Sequence, residues 1–383
     1  MYHGLLVLMK FGFAMFAVLA SIYAIAQAVT PSQAIALEQL GKWAEAVQAW
    51  QEVVNKRPHD AAALASMGVD LARLQRYREA AAAYRKALKL DPKLPGIRLN
   101  LGLAEFKQGN FQLAIATLSS VVSSDPKNLQ AATLLGLSFY GTKQFGKAAD
   151  RLQVVAKTDP DNAELQHMLA QSCFFAKRYS CALDGFRRIL EKEPDSASAH
   201  MLMGEALDGL DRTPDAITEF QTAARVAPGE PNVHFGLGYL YYKSHKYDEA
   251  KYEFESELSI DPNHAQAIAY LGEIAMKHRN FDQAVPLLTK AVALKDDLRF
   301  AYVDLGSIYA EQKRYEDAIV VLRKAMQLDP SEPDAHYRLA KIYQVTGRKA
   351  EAQEEFAKVV SLHEKADQTL APKMPNTPPS LPR

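Results

Sequence analysis

The sequence lacks an excess of charge of either sign. Lysine and arginine together number 45, aspartate and glutamate also number 45, and the two sets cancel at pH 7. Proteins that bind nucleic acid usually carry a basic excess, because their lysines and arginines neutralise phosphates. The balanced charge therefore argues against this class, and we predict no nucleic-acid partner.

The sequence also lacks the local motifs of common catalytic sites. It contains no His-Glu-x-x-His, no Gly-x-Ser-x-Gly and no phosphate loop of the Walker type. Every segment long enough to form a catalytic domain is occupied by the repeats described below. We therefore predict that the protein is not an enzyme and has no catalytic residues, cofactor or metal site.

Residues 1–28 differ from the rest of the chain. Lys10 is followed by an apolar stretch, residues 11–28, which ends in the small-x-small pattern Ala26-Gln27-Ala28. This stretch is slightly long for a signal core and slightly short for a bilayer span. We predict either a signal peptide cleaved after Ala28 or an uncleaved membrane anchor, with no cysteine nearby for a lipid anchor. In both cases the rest of the chain is exported, to the periplasm, outside the cell or the extracytoplasmic side of a membrane.

The remainder of the sequence repeats itself. The dipeptide Asp-Pro recurs at Asp91-Pro92, Asp125-Pro126 and Asp159-Pro160, which are 34 residues apart, and later copies keep multiples of this spacing. Cutting the chain at this period gives ten units between residues 27 and 366, without insertion or deletion. We number the positions of each unit from 1 to 34.

Three positions of the unit have a constant character. Position 8 is always glycine or alanine, position 24 is large and apolar, and position 20 is always alanine. The alanines are Ala46, Ala80, Ala114, Ala148, Ala182, Ala216, Ala250, Ala284, Ala318 and Ala352. Apolar residues at positions 4, 7, 8 and 11, and again at 20, 24 and 27, predict two helices. We expect these helices to cross closely, with position 8 opposite position 20, and neighbouring hairpins to stack.

Glycine at position 8, alanine at 20, an aromatic residue near 24 and proline at 32 resemble the tetratricopeptide repeat. The resemblance covers about nine-tenths of the chain. It implies an all-α fold, an α-solenoid in which helix-turn-helix hairpins form a right-handed superhelix. It also implies that the first helix of each repeat lines a concave groove. The tryptophan usual at position 4 is missing, and His200, His234, Tyr302 and His336 occur there instead.

The ends of the repeat domain follow from local signals. Thr30 and Pro31, with Gln33, form a capping box at a helix start, so we assign the repeat domain to residues 29–366. Thr30 and Gln33 stand where apolar residues belong, which predicts a shortened or signal-derived first helix. Residues 367–383 are rich in proline and predict a disordered tail, or alternatively a ligand for a proline-recognition groove.

The resemblance places positions 2, 5, 6, 9, 12 and 13 in the groove. From the third to the eighth unit these positions are largely apolar or aromatic, which suggests an interaction site. The predicted groove residues are Leu99, Leu103, Phe106, Leu134, Leu137, Tyr140, Phe174, Phe235, Tyr239, Tyr242 and Tyr270. The alternative is that many of them pack against the adjacent repeat. Of the lysines and asparagines by which some family members clamp acidic tails, only Asn100 and Lys341 match in type, so we expect a ligand with aliphatic or aromatic anchors.

The two cysteines, Cys173 and Cys181, fall at positions 11 and 19 of the fifth unit. The predicted hairpin turn brings them near each other, and an oxidising exported compartment would permit a disulfide. The alternative is two separate thiols, with Cys173 as a small core residue and Cys181 pointing away.

We predict that the protein is a non-catalytic scaffold of the cell envelope that binds partner proteins or peptides. One alternative is a self-assembling structural protein, a homo-oligomer in which a second copy fills the groove. Another is a regulatory subunit of a separately encoded envelope enzyme or export machine. We expect membrane contact only through residues 11–28, and only if the signal is not cleaved.

Overall fold

The computed structural model of the chain describes residues 30–370. Within this range the chain forms α-helices joined by short loops and contains no β-strand, which confirms the predicted all-α class. None of the helices between residues 30 and 370 has the length and apolar character needed to cross a membrane. The predicted signal peptide or anchor, residues 1–28, and the proline-rich segment from 371 onward lie outside the described residues.

The described residues contain twenty helices, which form ten consecutive hairpins with a first and a second helix each, as the repeat predicts. The first helices are α1 (Pro31–Gln39), α3 (Ala61–Arg73), α5 (Ile97–Lys107), α7 (Leu129–Gly141), α9 (Ala163–Phe175), α11 (Ala197–Asp208), α13 (Val233–Lys243), α15 (Ala265–Lys277), α17 (Arg299–Glu311) and α19 (Pro333–Val345). The second helices are α2 (Trp43–Lys56), α4 (Tyr77–Leu90), α6 (Phe111–Ser124), α8 (Phe145–Ala156), α10 (Tyr179–Lys192), α12 (Thr213–Val226), α14 (Tyr247–Ile260), α16 (Phe281–Leu294), α18 (Tyr315–Leu328) and α20 (Lys349–Leu370).

The chain divides into two compact units between Arg188 and Ile189, inside α10. In each unit the second helix of a hairpin packs against the first helix of the next one. First helices also contact one another: α3 with α5 and α5 with α7 in the first unit, α15 with α17 and α17 with α19 in the second. Each unit is therefore a solenoid in which the first helices together form one face.

Small residues allow the two helices of a hairpin to approach closely. The position-20 alanine is fully buried in the first nine hairpins and 5% exposed in the last. Position 8 lies opposite position 20 as expected, since a Cβ added to Gly238 would lie 3.3 Å from the Ala250 carbonyl oxygen, but its nearest contact is the large residue at position 24. A Cβ added to Gly102 would lie 2.5 Å from Cδ2 of Leu118, and one added to Gly272 would lie 2.8 Å from Cγ of Leu288. The glycine thus makes room for the position-24 side chain.

The turn inside each hairpin is built in the same way ten times. Position 15 has a positive φ, between 57° and 79°, in every hairpin. The residues are Gly41, Gln75, Gly109, Lys143, Lys177, Asp211, His245, Arg279, Lys313 and Gly347. The N–H of Gln144 donates to the Phe139 carbonyl at 2.9 Å, and that of Lys143 donates to the Tyr140 carbonyl at 2.9 Å. This pair of hydrogen bonds is that of a Schellman turn. This left-handed residue ends the first helix and turns the chain into the second.

Histidine at position 4 joins the two helices of its own hairpin. Nδ1 of His200 lies 2.6 Å from Oε2 of Glu219, and Nδ1 of His234 lies 2.6 Å from Oε2 of Glu253. His336 and Glu355 repeat the contact at 2.5 Å. The second nitrogen of His200 lies 3.0 Å from the Pro194 carbonyl oxygen. These contacts give the three histidines a structural role within their hairpins.

The first and last described helices can be compared with the predicted start and end of the repeat domain. Helix α1 has only 9 residues, in line with the expected short first helix, and the N–H of Thr30 donates to Oε1 of Gln33 at 2.9 Å. Helix α20 continues to Leu370, four residues past the predicted end of the repeats. Residues 367–370 contain no proline, so their sequence does not oppose continuation of the helix.

A disulfide joins Cys173 near the end of α9 to Cys181 at the start of α10, with the two Cα atoms 5.8 Å apart. Cys173 is 1% exposed, so one sulfur belongs to the core of the hairpin. Cys181 is half-buried and lines a hollow of about 510 Å³ with Gln166, Asp184 and Arg188. Of the two alternatives left by the sequence, the structure contains the bridged form.

Replacement of Ala284 by leucine should destabilise the second unit. Ala284 is fully buried at position 20, so the added atoms force the two helices apart at a cost of about 1–3 kcal/mol in the free energy of unfolding. Ala293→Leu, on the exposed side of the same helix, is the matched control and should be close to neutral. Urea denaturation followed by circular dichroism measures both. Equal stability of the two variants would contradict the close crossing at position 20.

Loss of the disulfide should lower the stability of the first unit. The bridge closes a loop with a sequence separation of 8 residues, and constraint of the unfolded chain on this scale contributes about 2 kcal/mol. We expect Cys181→Ala to lower the melting temperature by several degrees, and a reductant to lower that of the wild type equally. The variant itself should not respond to the reductant. A wild type that does not respond either would show that the bridge is not formed in solution.

Candidate functional site

All eleven predicted groove residues lie on first helices. We use the term first-helix face for the surface formed by positions 2, 5, 6, 9, 12 and 13 of these helices. The residues lie on α5, α7 and α9 in the first unit and on α13 and α15 in the second. Leu134 is buried, with 9% exposure, so it packs as the alternative interpretation expects. Tyr239 is 37% exposed, and the other nine are half-buried.

In the first unit two shallow hollows adjoin predicted groove residues, one between α7 and α9 and the other between the start of α5 and the end of α6. Leu99 lines one of about 400 Å³, together with Arg98 and Asn128. Leu137 lines another of about 270 Å³, together with Thr133. Leu103, on the same helix as Leu99, is half-buried. Two of the four aliphatic members of the predicted groove, Leu99 and Leu137, thus border surface depressions.

The aromatic members of the first unit mainly contact their neighbours. The hydroxyl of Tyr140 donates to Oε1 of Gln171 at 2.9 Å, and its ring lies 5.4 Å from that of Phe145. The rings of Phe106 and Phe111 are 5.5 Å apart. Phe174 lies 6.4 Å from Phe186, a fully buried residue of α10. These rings are held in place by packing, and part of each remains accessible.

The second unit brings the remaining predicted residues together around Tyr270. We define the aromatic cluster as the rings of Phe235, Tyr239, Tyr242, Phe254, Tyr270 and Phe300. The centroid of the Tyr270 ring lies 5.1 Å from Tyr242, 5.4 Å from Phe254 and 5.1 Å from Phe300. Tyr239 and Phe235 follow at 5.8 Å and 6.2 Å. The cluster spans three successive hairpins. Its member Phe254 is fully buried, and Tyr239 lies at its exposed edge.

Two carboxyl groups border the cluster, and we call Glu273 and Asp304 the acidic pair. The hydroxyl of Tyr242 donates to Oε1 of Glu273. Nζ of Lys277 lies 3.5 Å from the same oxygen and 5.6 Å from the centroid of the Tyr242 ring. Burial raises the pKa of Tyr242 well above its usual range and that of Tyr270 to about 12, so both phenols stay protonated at neutral pH.

Asp304 is the unusual member of the pair. It is only 8% exposed, and its Oδ2 atom is buried without a hydrogen-bond partner. Burial raises the pKa of its carboxyl to about 8, and the neighbouring charge of Glu273 adds to the effect. Lys277 and Arg338 oppose this rise. The carboxyl is therefore mostly neutral at pH 7 and ionises just above that pH.

Our sequence analysis missed Glu273, Lys277, Asp304 and Phe300. They occupy positions 9, 13, 6 and 2 of their repeats, all on the first-helix face. The same position numbering that selected Tyr239 and Tyr270 was sufficient to find them. They were missed because only apolar residues were counted from the third to the eighth unit, which excluded the charged groups and the ninth unit.

Asp304→Asn should stabilise the second unit in a pH-dependent way. Between about pH 4 and pH 8 the unfolded chain releases this proton while the folded protein retains it, so the wild type loses stability as the pH rises. The variant lacks this loss. We expect it to be more stable than the wild type by about 1–3 kcal/mol at pH 8.5, and by much less at pH 4.5.

Chemical denaturation at the two pH values measures this difference. Asp317→Asn is the matched control, since Asp317 is exposed and pairs with Arg314 at 2.7 Å on another face. A constant difference between Asp304→Asn and the wild type across this pH range would contradict the raised pKa.

Comparison with known protein families agrees with the repeated helical hairpins of the structure. Family models described as tetratricopeptide repeat, and one described as TPR repeat, together match more than half of the chain. The matched residues are 32–95, 71–137, 139–206, 231–264, 306–347 and 333–365. No curated protein matches the chain.

Several solved structures are similar to this chain. The Cut9–Hcn1 heterotetramer of APC/C has a TM-score of 0.50 at 15% identity, over 86% of this chain and 79% of that chain. Yeast Tom70 has a TM-score of 0.42 at 15% identity, over 86% and 91%. YrrB, described as a TPR protein with an unusual peptide-binding site, has a TM-score of 0.39 at 21% identity, over 49% and 97%. At such identities the likeness to Cut9–Hcn1 shows the fold alone, but the matched family models and the ten hairpins show that the chain belongs to the tetratricopeptide-repeat family.

Proposed function

We propose that the protein is a non-catalytic interaction scaffold of the cell envelope, and that it binds a segment of a partner protein on the first-helix face. The observation that carries this proposal is the aromatic cluster of the second unit. Its rings come from three hairpins, its inner members are fixed by packing, and its outer member, Tyr239, is 37% exposed. Rigid aromatic side chains that are half-exposed on one face are typical of binding hot spots.

The chemistry of the face favours some ligands over others. Aromatic rings and nearby leucines suit a helical or extended segment with aliphatic or aromatic anchors. An acidic tail is disfavoured, because the carboxylate of Glu273 borders the cluster and would repel it. Tyrosine hydroxyls at the edge can form hydrogen bonds with the main chain of the ligand.

The location proposed for this function is outside the cytoplasm: periplasmic, secreted, or anchored with the repeats on the outer side. Two features support it. The N-terminal sequence has the order of charge, apolar stretch and small-x-small site of an export signal. The disulfide between Cys173 and Cys181 suits an oxidising compartment, because such bonds are rare where thiols are kept reduced.

The proposal is tested by photocrosslinking in intact cells. A photoreactive residue at Tyr239 samples the first-helix face, and the same residue at Tyr252 is the matched control. Tyr252 is 67% exposed and lies on α14, the second helix of the same hairpin. A partner protein captured from position 239 alone supports the proposal. Adducts between copies of this chain would instead indicate self-assembly, and equal labelling from both positions would contradict a specific face.

Tyr239→Ala should weaken binding of the captured partner without affecting the fold. Removal of a half-exposed aromatic anchor costs about 1–2 kcal/mol, which corresponds to a loss of about five- to thirtyfold in affinity. Tyr252→Ala should leave the affinity unchanged. Titration of the purified partner against each variant measures the effect. A loss of helicity in Tyr239→Ala would instead identify Tyr239 as a packing residue.

A further inference from the structure

Asp304 is a buried carboxyl that the fold itself leaves without a partner. Its Oδ2 atom accepts no hydrogen bond, although 92% of the residue is buried. Buried polar groups in proteins are nearly always paired, so an orphan calls for an explanation. Asp304 occupies position 6 on the first-helix face, beside the aromatic cluster. Residues that violate a packing rule on a binding face are candidates for ligand contact.

Charged groups from both neighbouring first helices face Asp304. Glu273 and Lys277 lie on α15, and Asp334 and Arg338 lie on α19. The phenol of Tyr242, on α13, also senses its charge. On its own helix, Arg299 is engaged elsewhere, since its Nη1 donates to Oδ2 of Asp334 at 3.3 Å.

Lys277 shows which chemistry this surface accommodates. Its ammonium lies 5.6 Å from the centroid of the Tyr242 ring, 5.9 Å from that of Tyr247, and 3.5 Å from a carboxylate oxygen of Glu273. A cation held between aromatic faces and a carboxylate gains from both. Asp304 stands beside the same cluster, on the next first helix, with no cation bonded to it. The built-in lysine thus pairs with one carboxyl of the acidic pair, whereas Asp304, which is 8% exposed, pairs with no cation among residues 30–370 of this chain.

We propose that Asp304, together with Glu273 and the adjoining rings of the aromatic cluster, receives a lysine or arginine side chain of the bound segment. This inference rests on the proposed function, because it specifies the ligand of the same face. The cation would form charge-assisted hydrogen bonds with the carboxylates and lie against the rings. Flanking apolar residues of the ligand would contact the outer rings. The binding motif is therefore a basic residue among apolar ones.

The proposal makes binding depend on pH in a defined direction. At pH 6 the Asp304 carboxyl is protonated and cannot pair with a cation, because burial raises its pKa to about 8. It ionises as the pH rises, whereas a ligand lysine stays charged through pH 9. Affinity for the basic segment should therefore increase by about tenfold or more between pH 6 and pH 8.5. A neutral carboxyl that merely donates a hydrogen bond to the ligand would give the opposite trend.

The test selects a phage-displayed library of random 12-residue peptides on the full chain at pH 8.5. The wild type, Asp304→Asn and the exposed control Asp317→Asn are used in parallel. We expect the wild type and the control to enrich lysine or arginine at one position between apolar residues, and Asp304→Asn to lose that enrichment. Asp304→Asn removes a buried orphan charge, so failure to fold is not expected, and circular dichroism verifies it. A selected peptide is then titrated at pH 6 and pH 8.5.

The outcomes separate this inference from the proposed function. Enrichment of apolar peptides without a basic residue, or of the same basic peptides by Asp304→Asn, would overturn the inference and leave peptide binding intact. Affinity that falls between pH 6 and pH 8.5 would overturn it as well. If the wild type retains no peptide above background, the proposed binding of a segment by this face fails too.

Discussion

The close crossing of the two helices in each hairpin is the contact on which the rest of the structure depends. Alanine at position 20 is buried in every hairpin, and a small residue at position 8 lets the large position-24 side chain reach across. Because each hairpin is flat and tightly closed, the next one can cover its apolar surface. The first helices consequently fall side by side, and their outward positions form a single face within each unit.

That face owes its chemistry to positions that the fold leaves undetermined. Positions 8, 20 and 24 satisfy packing and vary little, whereas positions 2, 6, 9 and 13 are free to differ from hairpin to hairpin. In the second unit they supply Phe300 and Asp304 on α17, and Glu273 and Lys277 on α15. The scaffold therefore fixes where side chains stand, and the variable positions decide which chemical groups the face presents.

Much of this architecture could be predicted from the sequence, because it depends on residues that recur with a fixed period. Ten alanines at one position and prolines at another gave the hairpins and the class of fold directly. The contact between Gly102 and Leu118 could not be predicted from spacing, since it depends on how far a position-24 side chain reaches across the crossing. Nor could the burial of Asp304, since a single carboxyl in the sequence gives no sign of whether neighbouring helices cover it.

The constant length of the repeat has a further consequence for how this protein can evolve. Because every hairpin contains the same left-handed turn and has the same length of 34 residues, a whole hairpin can be duplicated or lost while its neighbours keep their own turns and spacing. The aromatic cluster has no such freedom. It draws Tyr242, Tyr270 and Phe300 from three hairpins in a fixed order, so removal of the middle one would leave a sound solenoid that no longer assembles this cluster. A change in hairpin number within this region would thus dismantle the cluster while leaving the other hairpins folded.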